Sequence, residues 1–179
     1  MSTLLLMLFS CQVLAKTEAD PEIKDIIITT SHADLLAFAS VKNAFSPAML
    51  ADLHKGQPII FTYHLELVKV GTWFDSTLNK FTVTHTLQYN ADTKQYLIDF
   101  SEKNKSQKTA DLEEAKRLMS EINGVNIIAL SELAVDTPYA IHFKVTLQKG
   151  SLPLGLHHLL PISALWDTET DWRTIEFRY

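Results

Sequence analysis

His64 and Glu66 are the two residues whose types and spacing are best suited to acid–base or metal chemistry. They lie in a segment where apolar and polar residues alternate, which predicts a β-strand, and residues two apart on a strand project from the same face. One imidazole and one carboxylate on a common face could share a proton or a metal ion. Because they form an incomplete ligand set, we interpret them first as part of a solvated strand face beside Thr62.

His157 and His158 are a second candidate for metal binding. Neighbouring residues on a strand point to opposite faces, so one metal ion reaches both only where the backbone is irregular. His85 lies among apolar residues of another predicted strand, and we interpret it as a hydrogen-bonded core residue. We therefore expect no metal and no organic cofactor.

The motifs of common enzyme classes are missing from the sequence. Its five glycines stand apart from one another, whereas phosphate-binding loops cluster glycines so that backbone amides converge on the anion. No Gly-x-Ser-x-Gly sequence marks a serine as a nucleophile. The net charge is −5, and the main lysine group, between residues 103 and 117, is interleaved with carboxylates, which argues against nucleic-acid binding. We expect a protein that is not an enzyme and assign no catalytic residue.

Two apolar stretches are candidates for contact with a partner. Trp73 and Phe74 place two large aromatic side chains near a predicted turn, and residues 152–162 carry no charge when histidine is neutral. Each stretch has a structural alternative. The two aromatic residues could fold over the end of the domain as part of the core, and residues 152–162 could form a buried crossover.

The N-terminus has the features of an export signal. Residues 4–9 are uncharged and apolar, and Val13-Leu14-Ala15 provides the small residues that signal peptidase requires, so residues 1–15 are predicted to be a signal peptide with Lys16 first in the mature chain. The apolar run is too short for a membrane-spanning helix, which needs about 20 residues. Cys11, the only cysteine, leaves a second possibility, a lipid anchor at that residue. Cleavage before Lys16 removes it and leaves no thiol for disulfides or zinc.

The remaining sequence predicts one domain. A polar spacer at residues 16–22 precedes a single β-sandwich-like domain at residues 23–179. We predict a mainly β fold with an α+β tendency, an antiparallel two-sheet β-sandwich of about eight strands with two short helices. The predicted elements are strands at 23–30, 35–45, 58–68, 81–89, 95–100, 125–130, 139–148, 162–166 and 172–179, helices at 46–55 and from Thr109 to Asn123-Gly124, a linker at 101–108 and a closing turn at 168–170.

The order of several short motifs resembles a known bacterial family. The residues that carry this resemblance run across the predicted domain: Asn43-Ala44-Phe45-Ser46, Gly56-Gln57-Pro58-Ile59, Trp73-Phe74-Asp75, Tyr89, Tyr96, Glu114-Ala115, Tyr139, Leu152-Pro153, Trp166, Thr170 and Trp172. They resemble the uncharacterised bacterial family called domain of unknown function 4390. The resemblance implies an exported protein, often encoded beside a two-component sensor kinase, and it supplies no catalytic residues.

Three functional hypotheses follow from these observations. The first is a non-catalytic binding module of the bacterial envelope or periplasm, accessory to a sensor kinase or an envelope process, with another envelope protein as its partner. The second is a carrier that holds a lipid or other hydrophobic ligand inside the sandwich. The third is a hydrolase without a recognisable motif.

Overall fold

A computed structural model describes residues 19–150 and 167–179 of the chain. The predicted signal peptide with Cys11, the apolar segment at 152–162 with His157 and His158, and the predicted strand at 162–166 lie outside the described residues. Within them the chain forms ten β-strands, two α-helices and a short 3-10 helix at Leu130–Glu132. In chain order the elements are β1 (Glu22–Thr30), β2 (Asp34–Lys42), α1 (Pro47–His54), β3 (Ile59–Lys69), β4 (Ser76–Asn90), β5 (Gln95–Phe100), β6 (Lys105–Thr109), α2 (Leu112–Ser120), β7 (Glu121–Ala129), β8 (Pro138–Lys149), β9 (Thr168–Glu169) and β10 (Arg173–Arg178).

The strands form two antiparallel sheets, as the alternating sequence predicted. Sheet A has the order β1-β2-β7, and sheet B has the order β10-β8-β3-β4-β5-β6, with the two-residue strand β9 also paired to β8. The central strand β3 pairs with β4, its neighbour in sequence, and with β8, which comes much later. Neither sheet closes on itself, and the mainly β, sandwich-like class is confirmed.

Alternating apolar residues build the core between the layers. Along β3, every second residue from Ile59 to Leu67 is buried, and the same period of two buries Leu35, Ala37, Ala39 and Val41 in β2. The helix α2 packs Ala115 and Met119 against the inner face of sheet B beside sheet A. The layers are also joined by a hydrogen bond of 2.6 Å, which Asn79 Nδ2 donates to the carbonyl oxygen of Ile127.

The predicted ends of α2 were wrong. Its N-cap is Asp111 rather than Thr109, because the Asp111 carboxylate accepts from the amides of Glu113 and Glu114. No Asn-Gly cap ends the helix, and β7 begins directly at Glu121. Gly124 lies instead within β7 with φ +72°, at a bulge where the register with β2 shifts. Glycine is favoured both at the end of a helix and at a β-bulge because it permits positive φ, so the sequence alone does not distinguish the two positions.

The linker and the closing turn were also predicted wrongly. Within residues 101–108, only the first four form a turn, and Lys105–Thr109 is strand β6 on the edge of sheet B. Its polar, lysine-containing sequence is typical of an edge strand, which has one neighbour and a solvated side. The predicted turn at 168–170 contains β9, and both β9 and β10 pair with β8 on the same edge.

Candidate functional site

The turn between β3 and β4 carries the two most exposed of the large apolar side chains in the described residues. Trp73 is 87% exposed and Phe74 is 89% exposed. The alternative in which these residues cover the end of the core is therefore wrong. We call the turn at residues 70–75 the aromatic tip.

The backbone of the aromatic tip is held in place by local contacts. The amide of Gly71 donates to Asp75 Oδ1 at 3.1 Å, and the amide of Val70 donates to the carbonyl oxygen of Pro138 at 3.0 Å. A Cβ atom on Gly71 would overlap the carbonyl oxygen of Phe74. The turn thus requires glycine at position 71 and presents its two aromatic side chains from a defined backbone.

Two further exposed apolar residues lie at the same end of sheet B. Leu78, at a bulge early in β4, is 39% exposed, and Val135, in the loop before β8, is 82% exposed. That loop is held at this end because Thr137 and Tyr179 exchange backbone hydrogen bonds of 3.3 and 3.2 Å. We call Trp73, Phe74, Leu78 and Val135 the tip surface. The tip surface contains four of the six large apolar side chains that are exposed in the described part of the chain.

The charged side chains around the tip surface nearly balance one another. Arg178 pairs with Asp136 at 3.2 Å, and Lys80 pairs with Glu66 at 3.4 Å. Lys69 and Asp75 flank the turn itself. This end of sheet B therefore has three cations and four carboxylates, a net formal charge of −1: Lys69, Lys80, Arg178, Glu66, Asp75, Asp136 and Glu176.

His64 and Glu66 share the outer face of sheet B, as the alternation predicted, and both have ordinary partners. His64 Nε2 lies 3.3 Å from Thr146 Oγ1, and burial, followed by the charge of Lys144, lowers the pKa of His64. Glu66 accepts a hydrogen bond of 3.0 Å from Thr77 Oγ1. The geometry matches a partly solvated, hydrogen-bonded strand face.

His142 is the residue of this face that the sequence analysis did not single out. The register of β3 with β8 places it directly opposite Glu66, and its Nδ1 lies 2.8 Å from Thr174 Oγ1. The alternation of β8 predicts that His142 lies on a polar face. Only the pairing of β8 with β3 shows that this is the face that carries His64 and Glu66. Within residues 19–150 and 167–179, no three His, Cys, Asp or Glu side chains are grouped so that they could hold a metal ion.

His85 is fully buried, as predicted, and belongs to a hydrogen-bonded cluster in the core. Its Nδ1 lies 3.3 Å from the carbonyl oxygen of Met119, which also accepts a hydrogen bond of 2.5 Å from Tyr63 Oη. Its Nε2 lies 3.3 Å from Glu102 Oε1. Burial, more than the nearby Glu102 and Glu121 carboxylates, raises the pKa of Tyr63 well above its usual range. The cluster joins β3, β4, the β5–β6 turn and α2.

Two surface grooves lie beside the segment that leads into α1. One, of about 390 Å³, lies against Asp20, Asn43 and Phe45. The other, of about 320 Å³, lies between β2 and α2 and includes Lys116 and Arg117, which pair with Glu113 and Glu121 respectively. Both grooves mix polar, charged and apolar groups, so neither has the apolar lining that a lipid chain requires.

In the part of the chain that the structure describes, no helix has both the length and the apolar character needed to cross a membrane. Comparison with curated proteins and with solved structures found no match. One family model does match, over residues 18–176, which span nearly the whole described domain. The chain therefore belongs to the family whose description is Domain of unknown function (DUF4390).

Proposed function

We propose that this protein is an exported, non-catalytic binding module of the bacterial envelope that docks on another envelope component through its tip surface. The observation that carries the proposal is the exposure of Trp73 and Phe74, at 87% and 89%. Large aromatic residues dominate the binding energy of many interfaces. Exposed apolar patches on a protein surface often mark interaction sites. A role beside a sensor kinase or another envelope process fits this proposal.

The construction of the aromatic tip supports a binding role. Its backbone is fixed by the Gly71–Asp75 and Val70–Pro138 hydrogen bonds, so little backbone freedom is lost when the tip meets a partner. Tryptophan and phenylalanine have only two side-chain torsions, which keeps the entropic cost of ordering them small.

The two alternative functions find less support in the described residues. A carrier needs an apolar chamber, and the two grooves beside α1 are polar on at least one side. A hydrolase needs a nucleophile or activated water next to a base, whereas His64 and Glu66 are hydrogen-bonded to threonines on an open sheet face.

The export part of the proposal is tested by the mass of the mature protein. Protein extracted from the envelope of the bacterium that produces it should begin at Lys16. A diacylglyceryl group on Cys11 would instead make it a lipoprotein, still in the envelope. An uncleaved chain in the cytoplasm would contradict export.

The docking part is tested with tip variants in the native envelope. A photo-crosslinking residue at position 72 should capture an envelope component, and Trp73→Ala/Phe74→Ala should abolish the capture while the melting temperature stays at the wild-type value. Ile27→Ala is the matched control, because Ile27 is 58% exposed and lies in β1 of the other sheet. Capture that persists in the double variant would contradict docking through the tip.

A further inference from the structure

We propose that the component met by the tip surface is a lipid membrane, into whose interface between headgroups and acyl chains Trp73 and Phe74 insert. This inference rests on the proposed docking function and specifies its partner. It places the end of sheet B that carries the β3–β4 turn against the membrane.

The shape of the site favours a fluid partner. Trp73 and Phe74 are adjacent at a hairpin turn and expose nearly all of their surface, so the site projects outward. A folded protein would have to supply a deep pocket for each ring to bury this area. A membrane interface closes around a projecting side chain without a preformed pocket, and Leu78 and Val135 would then rest on the same surface.

The residue types match the chemistry of the membrane interface. Tryptophan is enriched at the headgroup level because its ring is apolar while its indole N–H still finds a hydrogen-bond acceptor there. Phenylalanine has no polar group to satisfy and can go deeper, among the acyl chains. Adjacent tryptophan and phenylalanine thus suit a shallow insertion.

Two amides at the base of the tip have internal hydrogen-bond partners. An amide that enters the membrane without a partner costs several kcal/mol. The amide of Gly71 already donates to Asp75 Oδ1, and the amide of Val70 donates to the carbonyl oxygen of Pro138. These internal bonds remove part of the cost of bringing a turn into the interface.

The balance of charge around the tip surface predicts how the protein binds. The three cations and four carboxylates at this end of the sheet give no net attraction to anionic headgroups, and two ion pairs are formed directly. Binding should therefore depend on apolar insertion, with only a weak dependence on salt or on the fraction of anionic lipid.

The test uses the purified full chain and vesicles of phosphatidylethanolamine and phosphatidylglycerol. Wild-type protein should sediment with the vesicles, and its tryptophan fluorescence should be quenched by lipids brominated on their acyl chains. Trp73→Ala/Phe74→Ala should lower the partition coefficient about ten-fold or more, since burial of one such side chain is worth at least that factor. Ile27→Ala should bind as the wild type does, and raising NaCl from about 0.1 to 0.5 M should change binding less than about three-fold.

Three results would overturn the lipid inference. They are failure of the wild type to bind vesicles, equal binding by the double variant, and binding that disappears at high salt. If vesicles are not bound but the double variant still loses a crosslinked protein in the envelope, the partner is a protein and the docking function stands. If the double variant also keeps that crosslink, both the inference and the docking function fail.

Discussion

His85 Nε2 lies 3.3 Å from Glu102 Oε1 although the imidazole is fully buried and the carboxylate nearly so. The carbonyl oxygen of Met119 can only accept, so its contact with His85 Nδ1 places a proton on that nitrogen. The other nitrogen of the imidazole faces the carboxyl group of Glu102. The second oxygen of Glu102 is buried without a hydrogen-bond partner among the described residues, so its bond to His85 is the main compensation for its burial.

We predict that this pair makes the fold sensitive to acid. Burial raises the pKa of Glu102, but the hydrogen bond with His85, a backbone hydrogen bond and the charges of His85 and Lys103 outweigh it and hold the pKa below its usual value. A carboxyl group with a lowered folded-state pKa stabilises the fold above the unfolded-state value and loses that contribution as pH falls through the folded-state value. Urea unfolding at a series of pH values between about 3 and 7 should show the unfolding free energy decreasing as this contribution is lost.

Glu102→Gln should remove this part of the pH dependence and lower the unfolding free energy at neutral pH by about 1–3 kcal/mol. Glu113→Gln is the control, because the Glu113 side chain is 75% exposed and should change the stability by less than about 0.5 kcal/mol. The same acid slope in wild type and Glu102→Gln would contradict the assignment.

Removal of the tip side chains should leave the fold intact. Trp73→Ala and Phe74→Ala each remove an exposed ring, so the unfolding free energy should change by less than about 0.5 kcal/mol. Phe61→Ala removes a fully buried ring of β3 and should cost about 3–5 kcal/mol. Thermal unfolding checks both values. A large loss in the tip variants would mean that their rings pack against the domain.

Gly71→Ala should damage the tip without touching its aromatic side chains. The added methyl group would overlap the carbonyl oxygen of Phe74, so the turn must rebuild at a cost of about 1–3 kcal/mol. We expect docking to weaken. Gly56→Ala is a useful comparison, since its Cβ would meet no atom but its φ of +92° strains the backbone far from the tip. Equal docking by Gly71→Ala and wild type would show that tip geometry does not matter.

Asn79→Ala should loosen the junction between the two sheets. Asn79 Nδ2 satisfies the carbonyl oxygen of the buried residue Ile127, and its loss should cost about 1–3 kcal/mol. Asn126→Ala, at an exposed position of β7, should have almost no effect. Chemical denaturation of both variants measures the difference, and equal stabilities would refute a structural role for the contact.

A chelator should leave the melting temperature unchanged. His64 and Glu66 make hydrogen bonds to threonines, and no three ligand side chains are grouped around an ion within residues 19–150 and 167–179. A clear decrease on chelation that disappears in His64→Ala would assign a metal to the outer face of sheet B, and one that disappears in His157→Ala would assign it to the segment at 152–162.

The sequence predicted the elements whose patterns are local and strong. Alternation along β3 and β8 located those strands and their buried faces, and Ser46-Pro47 located the start of α1 because an N-cap and a first-turn proline act within one helical turn. It missed β6, because the residues of β6 are polar and show no apolar alternation. Such a sequence is typical of an edge strand, and edge position depends on the whole sheet. It also assigned Gly124 to the end of α2 rather than to a bulge in β7, because a bulge is defined only by pairing with a partner strand.

The candidate site was predicted in part. The residue types Trp73 and Phe74 were visible in the sequence, but their exposure depends on the conformation of the six-residue β3–β4 turn, which no local pattern predicts. Val135 joins them through a loop about sixty residues later, and that proximity arises from the pairing of β3 with β8. Pairings between distant strands carry no local sequence signature.

That pairing also governs when the domain can form. During synthesis, β3 meets β4 early, but its other edge stays open until β4 to β7 and α2 have been made and β8 arrives. Sheet A is likewise incomplete until β7 joins β1 and β2. Since such long-range contacts must wait for most of the chain, folding should be slow relative to that of helical proteins of similar size. We therefore expect a nascent chain with this strand order to remain incompletely folded for most of its synthesis.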